Sequence, residues 1–381
     1  MKISRLLCGL AVGSLLMAGA ANADNVKIGF NVPLTGFAAA DGKSALTGAE
    51  LAVEQANAAG GINGQNVELV IYDDQGSPDE AVPIAQKLIE KDQVVVAVSG
   101  SYSGSTRAAA GIFQEAGVPY VSAYAIHPDI TRAGDYVFRT SFMGEVQGRA
   151  GAYLIGETLK KKRVVVITLK NDFGQSLAAG FKEVAAKYGV EIVAEYEYGM
   201  KDRQFGPIVS QVKNDNPDVI YATGYFFNAG PLVSQLRAAG VTAQVIGQEG
   251  YDSQQFIEIA GPAAEGTIIT TSLDRDSEAQ VTKDFIAAFE KKAGHKVDMV
   301  AASAHTAVNV VVEAMKKAGT TDRKAIRDAV AETNLVASTG TITFNQLGEV
   351  RKDVQVQIVK DGNWHRHSVI SDPDLLAPPE K

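Results

Sequence analysis

Short runs of β-branched and apolar residues alternate along this chain with segments whose apolar positions recur at helical spacing. The run Val26–Val32 predicts a first strand. Residues 44–57, with Leu46, Ala49 and Val53 along one face, predict the helix that follows. The same alternation predicts strands at 67–72, 94–98 and 119–122 and a helix at 105–115. Strands separated by helices in this way predict a parallel sheet with helices on both faces.

The alternation restarts near Arg163. Strands are predicted at 163–169, 191–196, 219–223 and 245–246, and helices at 176–188, 205–214 and 230–239. The continuous apolar run 164–167 is typical of a strand that is covered on both faces. The sequence therefore predicts an α/β protein of two lobes, each built on a doubly wound parallel sheet.

The final third of the chain has a different pattern. Long helices are predicted at 278–293, 298–317 and 322–333, with one alternating strand at 354–359. Because this third has too few strands for a sheet of its own, we expect it to complete the two earlier lobes. The proline-rich tail from 372 onwards is expected to be frayed.

We predict that the two lobes exchange chain segments. The predicted division assigns residues 24–141 and 272–350 to lobe 1, and residues 142–271 and 351–381 to lobe 2. Three crossings of the chain between the lobes then form a hinge.

The first residues predict export. Lys2 and Arg5 precede an apolar run from residue 6 to residue 17, and a small-x-small cleavage pattern follows at 21–23. This arrangement predicts a cleavable signal peptide over residues 1–23 and a periplasmic location. The alternative is a membrane anchor, for which the run is short. The single cysteine, Cys8, lies inside this segment, so we expect no disulfide in the mature protein.

Charge and composition narrow the possible partners. The formal net charge is −8, and no basic patch stands out along the sequence. Nucleic acid and anionic lipid are therefore not expected as partners. No later segment is apolar and long enough to predict a membrane span. A small-molecule ligand and a monomeric protein are the expectation.

Ligands of open parallel sheets bind beyond the carboxyl ends of the strands, so the loops at those ends matter most. The loop 99–106 is rich in glycine and serine, follows a predicted strand and opens a helix. Glycines allow close approach of a ligand, and a helix N-terminus favours an anion. Ser103 and Thr106 could add hydroxyl donors beside Tyr102. The loop lacks the lysine and the glycine spacing of a nucleotide-binding loop, so we predict that it binds a carboxylate group of a ligand rather than a phosphate. The alternative is that the loop binds nothing and only caps the helix.

Two further loops lack obvious anion-binding or catalytic side chains. The loop 122–129 follows the next strand, and we expect any ligand contact there to come from its backbone. The loop 170–174 contains Phe173 among polar residues. This ring is either a pocket wall or a minor part of the core.

Two loops of the second block complete the set. The loop 224–228 contains Tyr225 and two phenylalanines, which predict either a stacking wall or core packing. The loop 247–251 places Glu249 between glycines at a strand end. This carboxylate could face a cationic group, although a solvated loop position is the alternative.

The sequence does not predict catalysis. It has no Gly-x-Ser-x-Gly elbow and no Gly-x-Gly-x-x-Gly after the first strand. His365 and His367 share a face of one predicted strand, but no third metal ligand accompanies them. The remaining histidines are isolated from one another, at His127, His295 and His305. We therefore predict neither an enzyme nor a metal or cofactor site.

Several motifs together resemble one known family. They are VPLTG at 32–36, NAAGGING at 57–64, YDD at 72–74, YAIHP at 124–128, DFG at 172–174 and GQEG at 247–250. At these positions the chain resembles the periplasmic leucine/isoleucine/valine-binding proteins of ABC transporters, which have the type I periplasmic-binding fold. The resemblance covers essentially the whole mature chain.

The resemblance implies a set of ligand contacts. Ser103 matches the family's serine that binds the carboxylate of an amino acid. Tyr124 and Ile126 match the two residues whose backbone completes that contact. Tyr225 and Glu249 match the tyrosine and glutamate that bind the ammonium group from the other lobe. The two ends of the ligand are then held by different lobes, and closure of the cleft on binding is expected.

The sequence departs from the family pattern at several positions. Ile126 replaces a threonine, Phe173 replaces a tyrosine, and Asp41 stands where an aromatic residue commonly covers the ligand side chain. Gly76 and Tyr102 lie where many members have a disulfide. The first three changes affect the expected identity of the ligand and not the expected fold.

The function implied is capture of a neutral amino acid, branched-chain or aromatic, and its delivery to the permease subunits of an ABC importer. One alternative is the same fold with another ligand, such as an amide or an aromatic acid. Glu249 separates these, because a carboxylate repels an acid that has no ammonium group. A periplasmic sensory protein is a second alternative, and an exported hydrolase is a third.

Overall fold

The computed structural model describes residues 25–380, which form two large sheets flanked by helices and a small sheet of two strands, Asn334–Ala337 and Gly340–Thr343. The strands are β1 Val26–Val32, β2 Val67–Asp73, β3 Val96–Ser99, β4 Tyr120–Ser122, β5 Val137–Arg139, β6 Arg163–Leu169, β7 Glu191–Tyr198, β8 Val219–Ala222, β9 Gln244–Gly247, β10 Ile268–Thr271, β11 Asn334–Ala337, β12 Gly340–Thr343, β13 Val354–Lys360 and β14 Asn363–Ile370. The α-helices are α1 Ala39–Ala58, α2 Pro78–Glu90, α3 Ser103–Glu115, α4 Gly144–Tyr153, α5 Asp172–Val184, α6 Gly206–Asp215, α7 Phe226–Ala238, α8 Gln254–Ala260, α9 Gln280–Ala293, α10 Met299–Ala318 and α11 Arg323–Ala331.

The first sheet has the strand order β2-β1-β3-β4-β5 and is parallel throughout. Its central strands are apolar and buried because helices cover both faces. The order reverses direction at β1, which pairs with β2 on one side and β3 on the other. Such a reversal opens a crevice beyond the carboxyl ends of the strands, where ligands of this architecture bind.

The second sheet has the order β14-β13-β10-β9-β8-β6-β7. Strands β6 to β10 are parallel, whereas β13 and β14 join one edge as an antiparallel hairpin. The two late strands therefore complete a sheet whose other strands lie far earlier in the sequence. This arrangement, an α/β fold with two wound sheets, confirms the predicted fold class.

The long helices of the final third pack mainly around the first sheet. Helix α10 lies against α1, β3 and β4, and α9 also contacts α1. Asp298 caps α10, accepting from the Ala301 backbone N–H at 2.9 Å, and Ser44 of α1 donates to the same carboxylate at 2.6 Å. Below, lobe 1 denotes the first sheet with its helices and α9–α11, and lobe 2 denotes the elements around the second sheet. The exact predicted boundaries stay a prediction.

The structure corrects several sequence-based assignments. Helices α5 and α7 each begin about one turn earlier than predicted, so Phe173 and the aromatics after Tyr225 lie in first turns rather than in loops. The elements that were not predicted include strands β5 and β10 and helix α4. The strands are too short to show a period of two, and α4 is rich in glycine.

The proline-rich tail is docked rather than frayed, which corrects the prediction. Leu375 and Leu376 are buried in the core of lobe 2. Arg149 donates to the backbone carbonyls of Leu375 and Ala377, at 3.1 and 2.7 Å. The two leucines supply the apolar surface that anchors this segment.

Residues 25–380 contain no helix with the length and apolar character needed to cross a bilayer. The predicted signal peptide at 1–23 lies outside the described residues.

Candidate functional site

A cavity lies between the two lobes, at the carboxyl ends of both sheets. It is lined by Asp41, Tyr102, Ser103, Tyr124, Phe173, Tyr225, Glu249, Gly250, Met299 and Val300. Six of the eight residues predicted to bind a ligand are therefore brought together, and the other two, Ile126 and Thr106, do not line the cavity. The space enclosed is about 20 Å³, which is room for about one water molecule.

On the side of lobe 1, a hydroxyl and a backbone N–H lie next to each other. Ser103 is the first residue of α3, and Ile126 lies in the loop after β4. The Ile126 N–H donates to the Ser103 hydroxyl oxygen at 3.1 Å. Ile126 is fully buried and does not line the cavity, so its connection to the site is this backbone N–H. Both groups stand at the N-terminus of α3, where the helix dipole favours an anion.

Buried Asp74 fixes the glycine-serine loop before α3 through hydrogen bonds. This carboxylate accepts from Asn31 at 2.8 Å, from the Ser101 hydroxyl at 2.9 Å and from the Gly76 N–H at 3.0 Å. Burial nevertheless raises the pKa of Asp74 above its usual range. At Gly100 a Cβ would lie 2.4 Å from the ring of Phe30, so the position requires glycine.

The side chain of Thr106 stabilises the loop before α3. Its hydroxyl lies 2.7 Å from that of Ser99 and donates to the Ser101 carbonyl at 3.4 Å. It does not line the cavity. Tyr124 lines the cavity with its ring and donates its hydroxyl to the Gly100 carbonyl, which ties the second loop to the first.

The loop after β4 is fixed by a buried ion pair. Arg139 on β5 donates to the carbonyls of Ala125 and His127, at 3.2 and 3.0 Å. The same guanidinium pairs with Glu349 at 2.6 Å, and the side chains are 0% and 1% exposed. Arg139 therefore orients the backbone on either side of Ile126.

On the side of lobe 2, Tyr225 forms the centre of an aromatic stack. Its ring lies 4.3 Å from that of Tyr102, centroid to centroid, with 5° between the planes. Phe173 stacks on Tyr225 at 4.6 Å and 24°. Asn171 donates to the Tyr225 hydroxyl at 3.5 Å. The stack crosses the cleft, because Tyr102 belongs to lobe 1 and the other two rings to lobe 2.

Glu249 follows β9 on a short 3₁₀ turn and is 2% exposed. The Ser272 hydroxyl donates to its Oε2 at 3.5 Å, while Oε1 is buried without a hydrogen-bond partner. Burial raises the pKa of Glu249 to about 8, against the opposing effect of Lys352. Lys352 is itself buried, which lowers its pKa to about 8. The site thus holds a carboxylate with an unused acceptor.

A second carboxylate, Asp41, lines the same cavity and is 6% exposed. The Tyr102 hydroxyl donates to its Oδ2 at 2.7 Å. Burial raises the pKa of Asp41 to about 7, and neighbouring Asp298 adds to that rise. The sequence identified Asp41 only as a departure from the family pattern. It did not identify Met299 and Val300, which reach the cavity because Asp298 starts α10 beside α1.

At the mouth of the cleft a second set of contacts joins the lobes. Arg107 on α3 pairs with Asp172 at the start of α5, at 2.9 Å. The rings of Phe37 and Phe227 meet at 5.6 Å. Phe37, Arg107 and Asp172 border an outer space of about 640 Å³. Tyr102 and Tyr225 line both this outer space and the inner cavity.

Within residues 25–380, no group of three or more acidic, histidine or cysteine side chains is arranged to hold a metal ion. His365 lies 3.7 Å from Asp276, and His367 lies 3.1 Å from the Ser368 hydroxyl.

A family model described as periplasmic binding protein matches residues 25–363. The chain belongs to this family. The resemblance seen in the sequence is therefore confirmed, and the family is one of substrate-binding proteins rather than enzymes.

A curated relative and two solved structures illustrate the similarity. The leucine-, isoleucine-, valine-, threonine- and alanine-binding protein of Pseudomonas aeruginosa is 30% identical over 367 residues, which cover 96% of each chain. The structure of a leucine-binding protein from Thermotoga maritima is 30% identical with a TM-score of 0.85, covering 92% of this chain and 99% of that one. The branched-chain amino acid transporter substrate-binding protein from Streptococcus pneumoniae, in complex with isoleucine, is 29% identical with a TM-score of 0.86, covering 92% of this chain and 100% of that one.

Proposed function

We propose that this family member captures an amino acid in the cleft between its lobes and delivers it to the permease of an ABC importer. The observation that carries the proposal is one cavity that both lobes line. Ser103, whose hydroxyl accepts from the Ile126 N–H, lines this cavity from lobe 1, and Glu249 and Tyr225 line it from lobe 2. A zwitterion has the matching pair of charges.

The carboxylate of the ligand is assigned to the lobe 1 end. There the N-terminus of α3 offers its partial positive charge and unpaired backbone donors. Ser103 and Ile126 now satisfy each other, at 3.1 Å. A carboxylate would accept from both, and each bond would then be charge-assisted and stronger than the neutral one it replaces.

The ammonium group is assigned to Glu249. A buried carboxylate with a free Oε1 is costly unless a cation or donor meets it. The hydroxyl of Tyr225, which lines the same cavity, supplies a second acceptor. An aromatic acid without an ammonium group would place its only charge against Glu249 or leave that carboxylate unpaired, so the amino acid is the better match.

Binding requires the lobes to move. The inner cavity has room for about one water molecule, so a ligand enters only after Tyr102 and Tyr225 have separated. The chain crosses between the lobes near residues 141, 272 and 351, and these crossings are the proposed hinge. A ligand bridging both lobes has differential affinity for the closed form and shifts the population towards it.

The remaining parts of the proposal concern location and partners. The sequence at 1–23 supports export by a signal peptide, and the family name supports the periplasm. The Pseudomonas relative is named for binding leucine, isoleucine, valine, threonine and alanine, and the Streptococcus relative is a branched-chain amino acid transporter substrate-binding protein, which supports an amino acid here. We propose a monomer that acts without a cofactor and without catalysis, and whose partner is the permease.

A thermal-shift screen tests the proposed function. Each amino acid is compared with its N-acetyl derivative, which lacks the ammonium group, and its carboxamide, which lacks the carboxylate. At 100 times its dissociation constant, a true ligand adds roughly 2.7 kcal/mol to the free energy of unfolding. We expect the amino acid alone to raise the unfolding temperature. Equal stabilisation by a benzoate or by the N-acetyl derivative would favour the aromatic-acid alternative.

A further inference from the structure

We propose that Asp41 selects an amino acid whose side chain ends in an N–H donor, either an amide or an ammonium group. The inference rests on the proposed function and names the ligand class within it. The family pattern commonly has an aromatic residue here that covers the ligand side chain, and it gives no role to a carboxylate at this position. What supports the inference is the place of Asp41 in the cavity and the partners of its neighbours.

The cavity leaves one wall for the side chain of the ligand. Ser103 and Ile126 take the carboxylate, and Glu249 with Tyr225 takes the ammonium. The remaining wall is formed by the first turn of α1 and the start of α10, namely Asp41, Met299 and Val300. A purely aliphatic ligand would suit the two apolar residues of this wall, whereas Asp41 is a buried carboxylate.

Asp41 is paired with a neutral hydroxyl. Its hydrogen-bond partner is the Tyr102 hydroxyl at 2.7 Å, and no lysine or arginine among residues 25–380 forms an ion pair with it. A buried carboxylate with one neutral partner is under-satisfied. A donor on the ligand is the group that would complete its hydrogen bonding.

The two carboxylates whose charges act on Asp41, Asp298 and Asp252, are already engaged. Asp298 accepts from Ser44 at 2.6 Å and caps α10. Asp252 accepts from Thr271 at 2.5 Å and pairs with Arg275. Of these three acidic residues, Asp41 alone lines the cavity. Its orientation towards the ligand space is therefore a specific feature and not part of a general acidic surface.

Glu249 adds an independent observation from the other lobe. Its Oε1 is buried, has no partner and belongs to the same cavity. Two carboxylates thus line one space, and the buried cation near them, Lys352, acts on Glu249 rather than on Asp41. A ligand with one donor group at each carboxylate satisfies both.

Tyr102 connects selection to closure. Its ring stacks on Tyr225 of lobe 2, while its hydroxyl donates to Asp41. If the ligand had an aliphatic side chain at this wall, Asp41 would be buried in the closed form without gaining a hydrogen bond from the ligand. A site that forms a hydrogen bond with a polar group of its ligand discriminates strongly against analogues that lack this group. An apolar pocket discriminates only weakly against a ligand of the same shape that carries an additional polar group.

The test is calorimetric titration of the mature protein with three ligands of nearly equal shape: asparagine, leucine and aspartate. 2,4-Diaminobutyrate is added as the ammonium-bearing ligand. We expect asparagine or diaminobutyrate to bind at least about tenfold more tightly than leucine and aspartate, as a charge-assisted hydrogen bond would provide. Leucine binding as tightly as both donor-bearing ligands would overturn the inference.

Two variants assign the preference to this residue. Asp41→Leu should reduce the ratio of asparagine to leucine affinity at least about tenfold. Asp41→Asn keeps an acceptor without the charge, so it should retain asparagine binding and weaken diaminobutyrate. If Asp41→Leu does not fold, Asp41→Asn still tests the inference. For a ligand whose side chain ends in an ammonium group, the ratio of diaminobutyrate affinity to leucine affinity should be lower in Asp41→Asn than in wild type, and an unchanged ratio would contradict the inference. For an amide ligand, the wild-type comparison of asparagine with leucine decides.

The outcome is separable from that of the proposed function. Glu249→Gln should weaken leucine and asparagine equally, because both have the same α-ammonium group. If Glu249→Gln has this effect while leucine is the preferred ligand, the function stands and the role of Asp41 is wrong. If no amino acid binds, both are wrong.

Discussion

The rings of Tyr102 and Tyr225 lie parallel across the cleft, 4.3 Å apart with 5° between their planes. Tyr102 directly precedes Ser103 at the carboxylate end, and Tyr225 belongs to the ammonium end. The stack therefore joins the two halves of the proposed site directly. Because both rings line a cavity with room for about one water molecule, we expect them to stabilise the closed form and to separate when a ligand enters.

Removing one ring should favour the open form. Tyr102→Ala deletes the stacking interaction, which contributes about 0.5–1.5 kcal/mol beyond the area it buries. We expect a larger radius of gyration without ligand, measured by small-angle scattering. Tyr196→Ala is the control, because Tyr196 lies on β7 and bonds to Asp215 away from the cleft. Identical scattering from both variants would contradict a role of the stack in closure.

Binding should release a proton. Burial holds the pKa of Glu249 at about 8, so much of this carboxyl is protonated at neutral pH. An ammonium group favours the ionised form, and the proton is lost on binding. Affinity should therefore rise with pH between about 6 and 8, by up to about tenfold per unit. The charged groups acting on Glu249 are Lys352, Asp252 and Arg139.

Calorimetry in phosphate and in Tris measures this release, because the two buffers differ in ionisation enthalpy. For wild type with leucine or asparagine, the measured heat of binding should differ between the two buffers. Glu249→Gln should reduce the difference. Leucine is the cleaner probe, since the pKa of Asp41, about 7, also lies in this range. Heat that is independent of buffer would show that Glu249 does not titrate on binding.

Stability should show the opposite dependence on pH. Because the pKa of Glu249 in the folded protein lies above its ordinary value of 4.5, ionisation favours the unfolded chain as pH rises from about 4.5 to 8. Without ligand, Glu249→Gln should gain stability relative to wild type over that interval. Urea unfolding at pH 5 and pH 8 measures the difference. A constant difference would contradict a raised pKa.

Substituting one partner of the ion pair between Arg139 and Glu349 should lower the free energy of unfolding markedly. Both side chains are buried, and Arg139 also holds the carbonyls of Ala125 and His127. Arg139→Met leaves Glu349 unpaired and should cost about 3–5 kcal/mol. The double variant with Glu349→Leu should recover part of that loss. Arg132→Met is the exposed control and should cost less than about 1 kcal/mol.

The sequence predicted the sheets well where burial produced continuous apolar runs. Strands β1 and β6 have the predicted bounds, because both are covered on two faces. Helix α4 was missed since its glycines hide the helical pattern. At Gly148 a Cβ would lie 2.2 Å from the Leu177 carbonyl oxygen, so the glycine serves close packing against α5. Such a contact lies beyond any local pattern.

The site was predictable only where loops follow strands. Ser103, Tyr225 and Glu249 stand at strand ends and matched family motifs, and the structure brings them to one cavity. Met299 and Val300 arrive from a helix that begins about 260 residues after Asp41 in the chain, so no spacing in the sequence connects them. The local sequence likewise did not show that Thr106 would bond to Ser99 instead of facing a ligand.

The central claim is that both ends of a zwitterion are bound between the lobes, and Glu249 decides it. Calorimetric titration of the best-binding amino acid should show a roughly ten- to hundredfold weaker affinity for Glu249→Gln than for wild type, because a charge-assisted hydrogen bond is lost. The control Glu258→Gln, at an exposed position on α8, should bind as wild type does. Unchanged or tighter binding by Glu249→Gln would contradict the account.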